Sequence, residues 1–305
     1  MEQYAKELMK KATKPKEYAQ VVTQGNDDIF AIDLAEMGEW GDSNSGYKMI
    51  LVVVDCFSRY MWALPLRTKK ADETWNAIAP ILEEHKPRKL WCDQGGEFYN
   101  KVWDSHLKKL GIVRYSTYGE HKASIAERAI RTLKTKLWYH FIKDNTRNWM
   151  GVLKSEVEEY NRSKHSTIGV SPLRASHLDD DAEAKLWGQL YQQPDEGKPK
   201  YKLGQWVRIS RVKGIFEKGF HPNWSYEVYK IVGRKLTKPV MYQLQDYYGE
   251  PITGSFYEEE VQPVKNPDYF PIEKVIKKNK DKALVKLMGY TNPVWLPADQ
   301  VGALQ

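Results

Sequence analysis

Three carboxylates stand where they could hold a divalent metal ion. Asp33 interrupts an apolar run, Asp93 follows a shorter one, and Glu127 lies in the first turn of a long helical pattern. An aspartate inside an otherwise apolar strand is costly to bury unless it is paired or binds a metal. Carboxylate oxygens suit Mg²⁺ and Mn²⁺, and two such ions can activate an attacking oxygen and stabilise a leaving one. These residues therefore predict metal-dependent chemistry at a phosphodiester.

Each carboxylate also has a purely structural interpretation. Ser124 and Glu127 have the spacing of a capping box, and Glu127 with Arg131 forms an ordinary i,i+4 pair. Asp33 could be a salt-bridged core residue, and Asp93 a turn former. Because the three groups come from three separate elements, with 33 residues between Asp93 and Glu127, we favour convergence on one face of a sheet.

The elements that must position these groups follow an α/β order. Short turns join the first three strands, which predicts antiparallel hairpins, and strand–helix alternation follows. We therefore predict an α/β fold with a five-stranded mixed sheet. The predicted strands lie near residues 28–35, 49–55, 60–66, 89–92 and 113–115, and the helices begin near residues 72, 101 and 124.

Composition narrows the class of protein. The chain has 305 residues, 41% of them hydrophobic, and a net charge of +7, which favours an anionic partner such as nucleic acid, although solubility alone could explain it. Only two cysteines occur and the first histidine is His85, so a zinc-binding module before that residue is excluded and no zinc is expected. Neither a membrane-spanning run nor a signal peptide is evident, and we expect a soluble intracellular protein.

Five segments are predicted from shifts in composition. An N-terminal helix and extension (1–25) precedes the α/β core (26–176). An acidic linker (177–197) has one lysine against six acidic residues, and the basic segment after it (198–265) has a net charge of +5. The last segment is the tail (266–305).

The basic segment reads as a small all-β domain. Its short strands and turn residues suit an SH3-like barrel. Cationic residues interleaved with Trp206, Phe216 and Trp224 predict a face that contacts DNA phosphates, unless the aromatic residues are simply core and the cations solvated. The cations in question are Arg208, Arg211, Lys213 and Lys218.

Several ordered motifs resemble those of retroviral-type integrases, whose catalytic core is ribonuclease H-like. The Gly46-Tyr-Lys48, Lys122-Ala-Ser124 and Thr132-Leu-Lys134 segments are most similar to integrases of Maverick/Polinton DNA transposons and virophages. The wider match comprises Val53-Val54-Asp55-Cys-Phe-Ser-Arg-Tyr60, Asp93-Gln-Gly-Gly-Glu-Phe98, Ala126-Glu-Arg128 and Tyr160-Asn161-Arg-Ser-Lys-His165-Ser.

The resemblance implies site residues. Asp33, Asp93 and Glu127 match a metal-binding catalytic triad that takes two Mg²⁺ or Mn²⁺ ions. The positions that correspond to DNA contacts near the active site are Tyr118, Lys122, Arg131 and Lys134.

The tail resembles a chromodomain, in which an aromatic cage reads methyl-lysine by cation–π attraction. Phe270 and Tyr290 match cage positions, whereas Leu287 stands where a tryptophan belongs. A docking or structural role therefore stays open for this chromodomain-like module.

The function implied is that of a DNA integrase, a polynucleotidyl transferase that processes 3′ ends and joins mobile-element DNA to target DNA. The resemblance also implies a homo-oligomer, which is a tetramer on DNA. Chromatin or a histone tail is a further expected partner, and no membrane association is expected. Synthesis in the cytoplasm, action in a host nucleus and packaging in a virion are the expected locations. The alternatives are a ribonuclease H-like nuclease without strand transfer and a catalytically silent DNA- or chromatin-binding scaffold.

Overall fold

The structure of the protein is a computed structural model that describes residues 2–116, 124–191, 197–211, 221–268, 270–298 and 301. It divides into two compact units. We name them the core unit, residues 21–193, and the β-rich unit, residues 1–20 with 194–305. No helix in the described ranges is both long and apolar enough to cross a membrane.

The core unit is built on a five-stranded mixed sheet, as predicted. The strand order is β3-β2-β1-β4-β5. Strand β2 is antiparallel to both β1 and β3, whereas β4 and β5 are parallel to β1. The strands are β1 (Ile29–Glu36), β2 (Met49–Asp55), β3 (Met61–Leu66), β4 (Lys89–Trp91) and β5 (Val113–Tyr115).

Helices cover both faces of this sheet. Because side chains alternate along a strand, Phe30 and Ile32 of β1 lie in a hydrophobic cluster with residues of α2 and α3, whereas Ala35 lies in another with residues of α4 and α5. The helices of the core unit are α2 (Ala71–His85), α3 (Lys101–Leu110), α4 (Ser124–Lys143), α5 (Met150–Arg162), α6 (Pro172–Ala175) and α7 (Asp180–Leu190).

The open edge of the sheet is strand β3, and a buried side chain caps it. Asn161, at the end of α5, accepts a hydrogen bond from the Met61 N–H at 2.9 Å and donates one to the Met61 carbonyl at 2.8 Å. The backbone N–H and carbonyl of Met61 therefore face away from β2. Pro65, four residues further along β3, faces the same way and has no N–H to offer. These features protect the edge against pairing with another strand.

The segment predicted to be an acidic linker contains a helix, α7, that packs on the core unit. The Asp179 side chain accepts a hydrogen bond from the Ala182 N–H at 2.8 Å, and acidic residues fill the first turn, where the helix dipole favours them. Leu186 and Tyr191 are buried with Phe57. The acidic composition thus marks a helix start, and the unit extends to residue 193.

The β-rich unit contains two sheets and an N-terminal helix. A five-stranded antiparallel sheet has the order β10-β6-β7-β8-β9 and a core that includes Val207, Ile231 and Tyr242. The all-β composition is confirmed, while the SH3-like and chromodomain-like assignments stay predictions. The elements are α1 (Glu2–Met9), β6 (Trp206–Ile209), β7 (Tyr229–Lys235), β8 (Met241–Gln245), β9 (Phe256–Tyr257) and β10 (Val261–Pro263), then a three-stranded sheet of β11 (Ile272–Lys278), β12 (Lys282–Leu287) and β13 (Val294–Pro297).

Candidate active site

Asp33 lies in the middle of β1, opposite Val52 of β2. Its position in the alternation is that of Ala31 and Ala35, so its side chain is on the α4 side of the sheet. The carboxylate is half-buried and accepts a hydrogen bond from the Leu34 N–H at 2.8 Å. An acid is thus held on a rigid strand among apolar neighbours.

Asp93 comes two residues after β4. Trp91 pairs in parallel with Ala31, so the same register carried two residues further brings Asp93 level with Asp33. The Asp93 carboxylate accepts a hydrogen bond from the Gly95 N–H at 3.2 Å. This turn-forming contact coexists with the position beside Asp33, so the structural interpretation and the functional one do not exclude each other.

Glu127 enters this region from the first turn of α4. The preceding residue, Ala126, is buried in a cluster with Ala31 and Trp91, which fixes the helix start over strands β1 and β4. The Glu127 residue itself is exposed. The three predicted acids therefore come from a strand, a strand end and a helix start, as expected.

A fourth carboxylate, which we had not predicted to be a site residue, belongs to the same region. Burial raises the pKa of Asp33 to about 6, and the charges of Asp93, Glu127 and Glu97 raise it as well, against the lowering effect of the Leu34 N–H. A Cβ added to Gly95 would lie 2.6 Å from each Glu97 carboxylate oxygen, so glycine leaves the room that Glu97 occupies. The signal in the sequence was the Gly95-Gly-Glu97 run after Asp93.

The donor set is chemically suited to a divalent cation. All four acids offer hard oxygen ligands, and their mutual repulsion would be relieved by positive charge. Within the part of the chain that the structure describes, no three His, Cys, Asp or Glu side chains are close enough together to be ligands of one ion. By their chemistry and position, Asp33, Asp93 and Glu127 are the residues that would hold Mg²⁺ or Mn²⁺.

The predicted DNA contacts on α4 lie beside Glu127. Arg131 is exposed, and the Lys134 ammonium donates a hydrogen bond to the Glu36 carbonyl at 3.0 Å. Glu127, Ile130, Arg131, Lys134, Thr135 and Trp138 line a shallow groove along the helix. Tyr118 and Lys122 lie outside the described residues.

The structure does not place Arg208 on a phosphate-contacting surface. Its side chain is fully buried, and its Nη1 donates hydrogen bonds to the carbonyls of Ser225 and Tyr226 at 2.9 and 2.6 Å. The guanidinium also lies over the Tyr4 ring. The sequence pattern could not reveal this burial, because the partners are distant in the chain. Arg211 is exposed, and Lys213 and Lys218 lie outside the described residues.

The two predicted cage residues, Phe270 and Tyr290, are brought together. Their ring centroids lie 5.6 Å apart at 80°, and Tyr247 of the β-rich unit packs 4.8 Å from Phe270. Such edge-to-face contacts are typical of aromatic packing. The buried residue Leu287 stands nearby in the same cluster. Recognition of methyl-lysine by these rings stays a prediction.

Comparison with known proteins supports the same fold. The chain aligns with a chain of the simian T-cell lymphotropic virus intasome, in complex with the PP2A regulatory subunit B56 gamma, at a TM-score of 0.62 over 85% of each chain, with 12% identity. The chain is retroviral integrase-like. This likeness shows that the two chains share a fold.

Similar sequences occur in a transposon-derived protein and in viral Pol polyproteins. The chain is 31% identical over 195 residues to a transposon-derived protein of Caenorhabditis elegans, which covers 63% of this chain and 65% of that protein. It is 33% identical over 115 residues to the Pol polyprotein of radiation murine leukemia virus, and the alignment covers 35% of this chain and 19% of that polyprotein. The chain thus spans less than two thirds of the first relative's length and about a fifth of the second's. No family model matches, and the finer resemblance to Maverick/Polinton integrases stays a prediction.

Proposed function

We propose that this retroviral integrase-like protein is a metal-dependent DNA integrase that processes the 3′ ends of a mobile element and joins them to target DNA. The observation that supports the proposal is that the charges of Asp93 and Glu127 act on Asp33, which lies on the α4 side of the sheet. A carboxylate whose pKa is raised by burial and by like charges is typical of a functional site. The intasome relative has a similar fold.

The residues of this site have separable roles in that reaction. Bound divalent ions would stabilise the charge that develops on the phosphodiester and would activate the attacking oxygen. Asp33 on strand β1 and Asp93 just after strand β4 fix the position of the reacting phosphate, while Glu127 closes the site from the helix. Arg131 and Lys134 lie along the exposed side of α4, where they hold neighbouring DNA phosphates.

Two successive displacements complete the proposed reaction. In the first, a water oxygen attacks phosphorus near the element's 3′ end as the P–O3′ bond to the retained strand breaks, which frees that strand's 3′-hydroxyl and releases a nucleotide that carries the phosphate on its 5′ side. In the second, the freed 3′-hydroxyl forms a P–O bond with a phosphate of the target strand, and the P–O bond that joined this phosphate to the neighbouring target nucleotide breaks. Neither step needs a covalent intermediate with the protein. Two DNA ends must be held together, so we propose a homo-oligomer, a tetramer on DNA, that acts in a host nucleus.

A strand-transfer assay tests this function. The full chain is mixed with Mg²⁺ or Mn²⁺, a labelled duplex that carries the element's end, and a supercoiled target. Joined product is expected with the parent and not with Glu127→Gln, whereas Glu84→Gln, an exposed acid on α2, serves as a matched control. Cutting without joining would indicate a nuclease. DNA binding with neither reaction would indicate a scaffold.

A further inference from the structure

Arg59 is a buried arginine in the turn between β2 and β3. Only 8% of the residue is exposed, and its backbone has a φ of 63°, a left-handed conformation that residues with a Cβ adopt at a cost. The Arg59 N–H closes the turn on the Asp55 carbonyl at 2.9 Å. Nothing in this backbone role requires a long cationic side chain, since glycine would adopt the conformation more easily.

The Arg59 guanidinium is also without a partner among the described residues. Its Nη1 is enclosed and has no hydrogen-bond acceptor. The nearby Asp55 carboxylate is already occupied by the N–H groups of Phe57 and Ser58 at 3.2 Å each, and by the Ser58 hydroxyl. By contrast, Arg88 pairs with Asp28 at 2.7 Å. A buried and unpaired charge is strongly unfavourable, so an anion from outside the chain would satisfy it.

His165 is a second potential hydrogen-bond donor near Arg59, since the charge of Arg59 acts on its ring. The turn is docked on the segment after α5, because Phe57 and Ile168 share a buried cluster and Asn161 bonds the backbone of Met61. His165 lies in this segment and accepts the Thr167 N–H on Nδ1 at 3.2 Å. Its neutral ring therefore carries the proton on Nε2 and can donate a hydrogen bond.

The charge of a second arginine, Arg128 of α4, also acts on this ring. Burial lowers the pKa of His165, and the charges of Arg59 and Arg128 lower it further, so the ring lies within the field of both guanidinium groups. Arg128 directly follows Glu127, and Ala126 is buried with Cys56 at the base of the turn. The basic cluster therefore adjoins the start of α4, close to the candidate active site.

We propose that Arg59, Arg128 and His165 form a phosphate subsite that holds a backbone phosphodiester of DNA beside the reacting one. The inference rests on the proposed function for the choice of DNA as the source of the anion. Arginine presents a rigid fork of donors that matches phosphate oxygens, and the N-terminal end of α4 adds a favourable dipole. The subsite would fix the path of the strand and so orient the phosphodiester at the carboxylates.

DNA binding in EDTA tests the subsite independently of catalysis. The affinity of the full chain for a labelled duplex is measured by fluorescence anisotropy over a range of salt concentrations, with Arg59→Gly, Arg59→Gln and the exposed control Arg174→Gln. Both Arg59 variants are expected to bind about 3- to 10-fold more weakly, with the slope of log K against log salt reduced by about 1. The control should keep the parent's slope.

Thermal unfolding distinguishes the subsite from a structural arginine. Arg59→Gly removes an uncompensated charge and suits the left-handed backbone, so it should melt at or above the parent's temperature in EDTA. An unchanged salt slope in a folded Arg59 variant would overturn the proposal, whatever its stability. If neither Arg59 variant folds, Arg128→Gln changes an exposed residue and must show the same loss of slope. Because no joining is measured, failure of the integrase reaction would leave this result standing.

Discussion

Replacing Asp33 by asparagine should stabilise the metal-free protein while it abolishes catalysis. The ionised carboxylate is half-buried and repelled by Asp93, Glu127 and Glu97, so the folded protein bears a cost that function requires. Asparagine is nearly isosteric and keeps an oxygen to accept the Leu34 N–H, but it has no charge. The substitution thus removes the repulsion and leaves the local hydrogen bond in place.

The magnitude follows from the pKa of Asp33. A rise from 3.8 to about 6 corresponds to about 3 kcal/mol, and solvent screening of a half-buried group reduces this to about 2 kcal/mol. Since the pKa of Asp33 is raised in the folded state, its contribution to the free energy of unfolding is most favourable below pH 3.8, and this stability is lost as the pH rises through about 6. At pH 7.5 the parent bears the full cost, and Asp33→Asn should gain about 2 kcal/mol, or about 4–8 °C in melting temperature.

The measurement is thermal unfolding in EDTA at pH 7.5 and at pH 4, with Glu84→Gln as the control for loss of one exposed charge. The gain should be large at pH 7.5 and small at pH 4. Adding Mn²⁺ should then raise the melting temperature of the parent and have little effect on Asp33→Asn. A variant that is less stable than the parent at pH 7.5, or equally stabilised at both pH values, would refute the argument from like charges.

Two further substitutions test how the core unit is held together. Asn161→Leu should lower the free energy of unfolding by about 2–4 kcal/mol, because the N–H and carbonyl of Met61 would lose their partners. Urea unfolding checks this, and a loss below about 1 kcal/mol would contradict the edge-capping role. Hydrogen bonds to Asp144 at 3.0 Å and Glu156 at 2.7 Å raise the pKa of His140, so its contribution is fully present below about pH 6.5 and lost as the pH rises through the higher folded-state pKa. His140→Ala should therefore depress the melting temperature more at pH 6 than at pH 9, and an equal depression at both would contradict a charged pair.

Local signals were sufficient for the order and type of the core elements. The apolar run around Asp33 predicts a buried strand because alternation and β-branched residues are properties of the strand itself. The end of α3 at Gly111, which has a φ of 70°, follows from the freedom of glycine in the left-handed region. The sequence also predicts that the three acids lie in one region, since topology restricts where a strand end and a helix start can meet, and their role as joint metal ligands stays a prediction.

Tertiary structure decided what depends on partners distant in the chain. Glu97 joins the acidic site only because its loop folds back over Gly95. Arg208 is buried and not on the surface, because a carbonyl seventeen residues away accepts its hydrogen bond. In the sequence Arg59 is one of many cations, and only the packed turn shows that its Nη1 is buried without a hydrogen-bond partner among the described residues. Residue type and spacing therefore determined which chemistry was available, whereas burial and long-range contacts, which set the energy of each charge, determined which residues can perform it.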